Sequence, residues 1–160
     1  MNKKKFTILS AMLAAMVFAV NCASAPETPK AMSGDMIVGP LNSQLDTATL
    51  TGFDVWGTNV DTSKYDSWAQ TAAPVVKGIL DKTPDGYNLE VQGHADGDGG
   101  AAQNQQVSTT RAKIIYDALK KQGVTSPKLT YKGYGSSNLK NPSNPSAPEN
   151  RRVGFQIVKK

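Results

Sequence analysis

Gly93-His94-Ala95-Asp96-Gly97-Asp98-Gly99-Gly100 is the stretch on which the reading of this 160-residue chain turns. Before it, Tyr87 to Gly93 places Leu89 and Val91 on one face, the alternation of a strand. After it, Asn104 to Gln122 carries Val107, Arg111, Ile115, Ala118 and Leu119 on one helical face, with Ile114 beside them. Gly123 past that run, Lys120 and Lys121 in its last turn and Pro127 soon after mark the helix end. Asp96 therefore sits in a glycine-rich turn between a strand and a helix. Asn104 and Arg111 are seven residues apart, two turns of one helix, so both face one cleft. Glycines at 97, 99 and 100 let the backbone turn tightly and a ligand approach closely. An ammonium group suits Asp96, and a carboxylate suits the fork of Arg111. Asn104 offers a donor and an acceptor to peptide-like atoms between them. Opposite charges at a fixed separation select an amino-acid head group over either ion alone. That is a binding chemistry, and it contains no nucleophile.

Working outward, strand and helix signals alternate. Ala48 to Trp56, with Leu50, Phe53, Val55 and Trp56 among threonines, predicts a first strand, and residues 57–61 a turn. Ser63 to Leu80 has Trp68, Ala72, Val75, Val76 and Ile79 at helical spacing, with Pro74 inside, which predicts a kinked or broken helix. Pro84-Asp85-Gly86 is a turn. Lys128 to Gly133 reads as a strand with Leu129 and Tyr131 inward, and Arg152 to Val158 as another with Val153, Phe155 and Ile157 alternating. Gly135 to Asn150 is a loop of Ser, Asn and Pro. No repeat is present. The pattern predicts an α/β (α+β) two-layer sandwich: a small mixed sheet of about four strands with helices on one face.

The chain opens with an address. Lys3, Lys4 and Lys5 precede an apolar run, Phe6 to Val20, too short for a bilayer, which needs about 20 apolar residues. Residues 1–21 read as a signal peptide. Ala23-Ser24-Ala25 looks like a signal-peptidase I site, but cleavage there leaves Pro26 first, a poor context. Ala19-Val20-Asn21-Cys22 reads instead as a relaxed lipoprotein box with Cys22 as the acylated residue, anchoring the protein in the outer membrane with the domain in the periplasm. Removing 1–21 takes three lysines and no acid, which lowers the formal charge from +5 to +2. A basic stripe for nucleic acid is not supported. Cys22 is the one cysteine, so no intramolecular disulfide forms. Residues 22–46, broken by Pro26, Pro29, Gly34 and Pro40, read as a flexible tether. The tether spans at most roughly 80 Å extended and about 25–30 Å as a coil. The folded domain is then expected over 47–160.

The Gly93–Asp96 stretch, Asn104, Arg111-Ala112, Gly133-Tyr134-Gly135 and Asn150-Arg151-Arg152-Val153, in this order and spacing, resemble the OmpA-like and Pal-like peptidoglycan-binding domain over roughly residues 48–158. The resemblance implies that Asp96 and Arg111 hold the diaminopimelate of the peptidoglycan stem peptide and that Asn104 matches the family's asparagine. Phe53-Asp54 resembles the pair that ends the family's first strand and contributes to the cleft. Gly97, Asp98 and Val107 complete the candidate peptidoglycan-binding set. Val107-Ser108 stands where Leu-Ser is usual, and Gly154 where the family often carries Glu. The implied role is a non-catalytic tie between outer membrane and wall, with no cofactor and no metal. Envelope proteins are further expected partners.

Other readings carry less. Asp96 as a turn cap and Arg111 as a surface arginine are each plausible alone, but not together at this spacing. Lone His94 reads as structural, Arg152 as a cover for the sheet edge, and Arg151 stays open between structure and ligand. Trp56, Trp68 and Tyr134 read as core or rim. A calcium loop starting at Asp96 lacks the glutamate at its twelfth place, where Val107 stands. A hydrolase triad from His94, Ser108 and an aspartate has no nucleophile elbow, and no carboxylate pair is placed for glycoside hydrolysis. A surface adhesin that meets partner proteins is the remaining alternative.

Overall fold

The computed structural model describes residues 33–54 and 63–160. Cys22, the signal segment and residues 55–61 of the expected first strand and turn lie outside them. Within the described residues the chain forms α1 (Gly34–Leu45), α2 (Ser63–Lys82), β1 (Tyr87–His94), α3 (Ala101–Lys121), β2 (Leu129–Gly133) and β3 (Arg152–Lys159). Single 3-10 turns occupy Asp46–Ala48 and Pro148–Asn150. Strand β1 is central, parallel to β2 and antiparallel to β3. The expected mixed α/β sandwich is borne out, with a sheet of three strands among the described residues. The described part of the expected first strand makes one antiparallel bridge, Leu50 to Val153.

Alternation on β1 and β3 builds the core. Leu89, Val91, Val153, Phe155 and Ile157 are buried with Ile115 and Leu119 of α3 and Val76, Ile79 and Leu80 of α2. Helix α2 continues through Pro74 without a break. Pro74 and Gln70, whose carbonyl loses its donor, both lie on the exposed side, where water replaces the missing bond. Val75 is 63% exposed for the same reason of phase. Tyr131, expected inward, is 38% exposed and packs on Tyr116 of α3 at the rim, with ring centroids 5.0 Å apart.

The tether expectation needs correction. Its second half is α1, part of the folded unit, and Leu41 and Leu45 belong to the core. Asn42 explains the docking. Its Oδ1 accepts from the Ile157 amide at 2.7 Å and its Nδ2 donates to the Ile157 carbonyl at 3.3 Å. Those groups, with the Val153 amide and carbonyl taken by Leu50, lie on the outer edge of β3. An unpaired edge is a template for aggregation, and α1 with the Leu50 segment covers it. Tyr87 donates a short hydrogen bond to Asp35 at the start of α1.

One pair of glycines sets the height of α3 over the sheet. Gly93 and Gly133 are register partners on β1 and β2. A Cβ on Gly93 would stand 1.9 Å from the Ser108 carbonyl oxygen, and one on Gly133 would stand 2.4 Å from the Thr109 amide nitrogen. The helix backbone therefore rests directly on the strands at their carboxyl ends. Ser108, fully buried, accepts from the Gly135 amide at 2.8 Å and donates to the Gln105 carbonyl at 3.0 Å. That seat fixes where Asn104 and Arg111 emerge.

Candidate functional site

Beyond the carboxyl end of β1 the chain brings together four charges from four separate segments. Asp96 follows β1, Arg111 lies on α3, Asp54 ends the first described segment and Arg151 precedes β3. Arg111 donates from Nη1 to the His94 carbonyl at 2.9 Å and from Nη2 to the Asp54 carbonyl at 2.5 Å. Its guanidinium lies 5.6 Å from the centre of the Phe53 ring, which stacks on Tyr65 at 5.6 Å. Arg151 donates from Nε to the Phe53 carbonyl at 2.9 Å and from Nη1 to Asp96 Oδ2 at 3.0 Å. Asn104 donates to the Asp96 carbonyl at 3.3 Å and to the Ser136 hydroxyl at 3.4 Å. Two arginines thus hold the backbone of Phe53-Asp54, while Asn104 and Arg151 hold Asp96.

The sequence expectation of one acid and one base at opposite ends of a small cleft describes this only in part. Asp96 is 2% exposed and Arg111 is 0% exposed. The nearest basic partner of Asp96 by hydrogen bond is Arg151, a residue the sequence left undecided. Burial pushes the Arg111 guanidinium below its ordinary value, while the charges of Asp96 and Asp54 pull the other way. Arginine stays protonated at neutral pH under such shifts. The four groups sum to zero charge, which matters for what they can bind.

The remaining members of the candidate set differ in their surroundings. Gly97 donates its amide to the Pro145 carbonyl at 2.8 Å, and Asp98 accepts from the Ser146 hydroxyl at 2.5 Å. Both residues dock the 136–150 loop, so their observed contacts are intramolecular. Val107 is 4% exposed and serves as a buried apolar residue on α3. Phe53 is buried and Asp54 exposed, the one acidic side chain of the cluster on the surface. Ser108, nominal nucleophile of the triad reading, has its hydroxyl engaged on both sides as described above.

Residues 53–152, well over half of the chain, match the model of the OmpA family. This chain belongs to the OmpA family. Over 72 residues it is 40% identical to outer membrane porin F of Pseudomonas fluorescens, a stretch of 44% of this chain and 22% of that one. The chain therefore spans about a fifth of the length of that relative. Its fold is similar to the peptidoglycan-associated lipoprotein of Burkholderia pseudomallei, with a TM-score of 0.54, 20% identity and coverage of 69% and 89% of the two chains. It is also similar to the OmpA-like domain of FopA1 from Francisella tularensis subsp. tularensis SCHU S4, with a TM-score of 0.52, 23% identity and coverage of 69% and 73%.

Several supports of this OmpA-family site escaped the sequence reading. Arg151 carried the adjacent-arginine signal but no hint of which face it would take. The Gly93–Gly133 pair was visible as two glycines at strand ends, yet their register is a tertiary fact. Asn150, fully buried, donates to the carbonyls of Asn144 at 3.0 Å and Pro145 at 2.8 Å and accepts from the Asn141 amide at 2.8 Å. It thereby shapes the loop that meets Gly97. His94 stacks on Tyr134 with ring centroids 5.6 Å apart, and burial followed by the charge of Arg152 lowers its pKa to about 4. Among the described residues no group of three or more metal-ligating side chains is assembled.

Proposed function

We propose that this chain binds cell-wall peptidoglycan without catalysis and takes the zwitterionic end of a diaminopimelate residue at the Asp96–Arg111 site. The carrying observation is the charge-neutral cluster of Asp54, Asp96, Arg111 and Arg151 at the carboxyl end of β1, in a chain of the OmpA family. A net-neutral head group adds no unbalanced charge to a buried site, whereas a lone ion does, and unbalanced burial is costly. Two of the acceptors on Arg111 are backbone carbonyls. A ligand carboxylate is the stronger partner, since charge-assisted hydrogen bonds are roughly twice as strong as neutral ones. The ligand carboxylate thus exchanges for the Asp54 carbonyl, and the ligand ammonium joins Arg151 at Asp96. Entry is from the side of exposed Asp54.

In this reading the domain holds the outer membrane to the wall from the periplasmic side, through a lipid on Cys22. The support for the anchor is the sequence pattern around Cys22, and for the envelope location the 72-residue similarity to porin F, beside a fold like that of the peptidoglycan-associated lipoprotein. Co-sedimentation with purified diaminopimelate-type sacculi tests the wall function. Wild type should pellet with sacculi and release no soluble muropeptides, while Asp96→Asn and Arg111→Lys, with unchanged circular dichroism, should stay in solution. Pelleting of both folded variants sinks the assignment. Mass spectrometry of the mature N-terminus should find acylated Cys22, and an unmodified terminus at Pro26 contradicts the anchor alone.

A further inference from the structure

A second constellation lies on the sheet face opposite the one that carries Leu89, Val91, Val153 and Phe155 to the core. His94 and Arg152 are register partners on β1 and β3, and Gln92 and Gly154 are the next pair. With Asp46, Thr49 and Gln156 they line a cleft of about 160 Å³. His94 is 4% exposed, and its Nδ1 has no hydrogen-bond partner. The Nη1 of Arg152 is likewise buried without a partner, although its Nη2 donates to the Asn138 carbonyl at 2.9 Å. Arg152 makes no ion pair among the described residues. The neighbouring amide of Gln92 is committed to Glu90 and Gln156, at 3.0 Å each. A Cβ built on Gly154 meets nothing within 4 Å, so the strand leaves this space open.

Unsatisfied buried donors are expensive, and charged ones more so. Arg152 Nη1 is one such donor, and the unpartnered His94 Nδ1 is a second when it carries the ring proton, so the cleft fits an acceptor. We propose that this cleft binds a monocarboxylate, with Arg152 Nη1 and the His94 ring as its donors, at a site separate from Asp96 and Arg111. The single guanidinium supplies one positive charge, and Asp46 in the lining disfavours a dianion such as phosphate. A planar carboxylate satisfies both nitrogens at once. Burial supports this role by keeping His94 neutral near pH 7, its pKa lowered to about 4, so the ring donates a hydrogen bond without adding charge.

The test titrates the isotope-labelled full chain with sodium acetate at constant ionic strength held by sodium chloride. Resonances of the Arg152 guanidinium and His94 ring should shift saturably, and phosphate should not reproduce the effect. N-acetylglycine beside acetate distinguishes a peptide terminus from a free small acid: tighter binding of N-acetylglycine assigns the peptide source, and equal or weaker binding the free acid. Gly154→Glu places a carboxylate of the chain's own in the cleft, and should weaken acetate binding by at least about tenfold and raise the melting temperature while sacculus binding is kept. If that variant does not fold, Arg152→Gln should abolish the acetate shift. Shifts that grow linearly without saturation, or saturable shifts unchanged in Arg152→Gln, overturn the proposal and leave water as the occupant.

Discussion

Arg111 and Arg152 are guanidiniums served by the same central strand, yet their surroundings are opposites. Arg111 is enclosed and held by carbonyls of His94 and Asp54, with Asp96 and Asp54 balancing its charge and that of neighbouring Arg151. Arg152 is half-buried, holds one carbonyl and keeps a buried nitrogen without a partner beside His94. The first arrangement is an electrostatically complete cluster, which in the proposed function a zwitterion enters by exchange. The second is an unfinished one that an anion completes. A buried arginine in this fold therefore says little by itself, and the partners around it decide the chemistry.

The comparison is broken first at Arg111. Arg111→Met leaves Asp96 and Asp54 facing Arg151 alone, and loss of one member of a buried ionic cluster costs about 3–5 kcal/mol. Urea unfolding should show that loss, against a much smaller change for Arg152→Met, which deletes an unpaired charge. Equal losses would mean the two sites are not different in kind.

A second separation uses pH. The His94 pKa is lowered from 6.5 to about 4. The unfolded chain binds a proton at this residue as pH falls below 6.5, and the folded chain resists until about 4. Stability is therefore complete above the unfolded value and is lost as pH falls through this window, by about 3 kcal/mol. His94→Phe should flatten this part of the pH–stability profile measured by denaturant titration. An unchanged slope in the variant places the effect on other groups.

Leu45→Ala sharpens the assignment of α1 to the folded unit. At 2% exposure, this truncation should cost about 2–4 kcal/mol. A cost near zero returns residues 34–45 to the tether. Smallest of all, Lys113→Ala removes an exposed i,i+4 pair with Asp117 and should change stability by no more than about 0.5 kcal/mol.

Much of the fold was legible because its signals are local. The alternation of Leu89 and Val91, the helical face from Val107 to Leu119 and the glycine at 123 each act within one element. Helix α1 is not legible in the sequence although Ile37, Leu41 and Leu45 recur every four residues, because Gly34 and Pro40 signal a break there. What stabilises α1 is remote: Asn42 on the edge of β3, and Tyr87 on Asp35. At the candidate site, the structure brings together Asp96, Asn104, Arg111 and Phe53-Asp54, which the sequence motifs single out. Arg151 was left open and Gly97 and Asp98 were given to the ligand, since which side chain fills a turn depends on a loop some 50 residues away. The sequence carries the residues of the cluster, but the pairing within it is set by tertiary contacts.

In the proposed function the Asp96–Arg111 cluster selects a zwitterion over either single charge. Calorimetric titration of the chain with diaminopimelate-containing muropeptide, in competition with cadaverine or with pimelate, tests it most directly. Cadaverine offers only ammonium groups and pimelate only carboxylates. Free diaminopimelate should displace the muropeptide, and neither single-charge analogue should do so at the same concentration. Displacement by pimelate or cadaverine as effective as by diaminopimelate would contradict it.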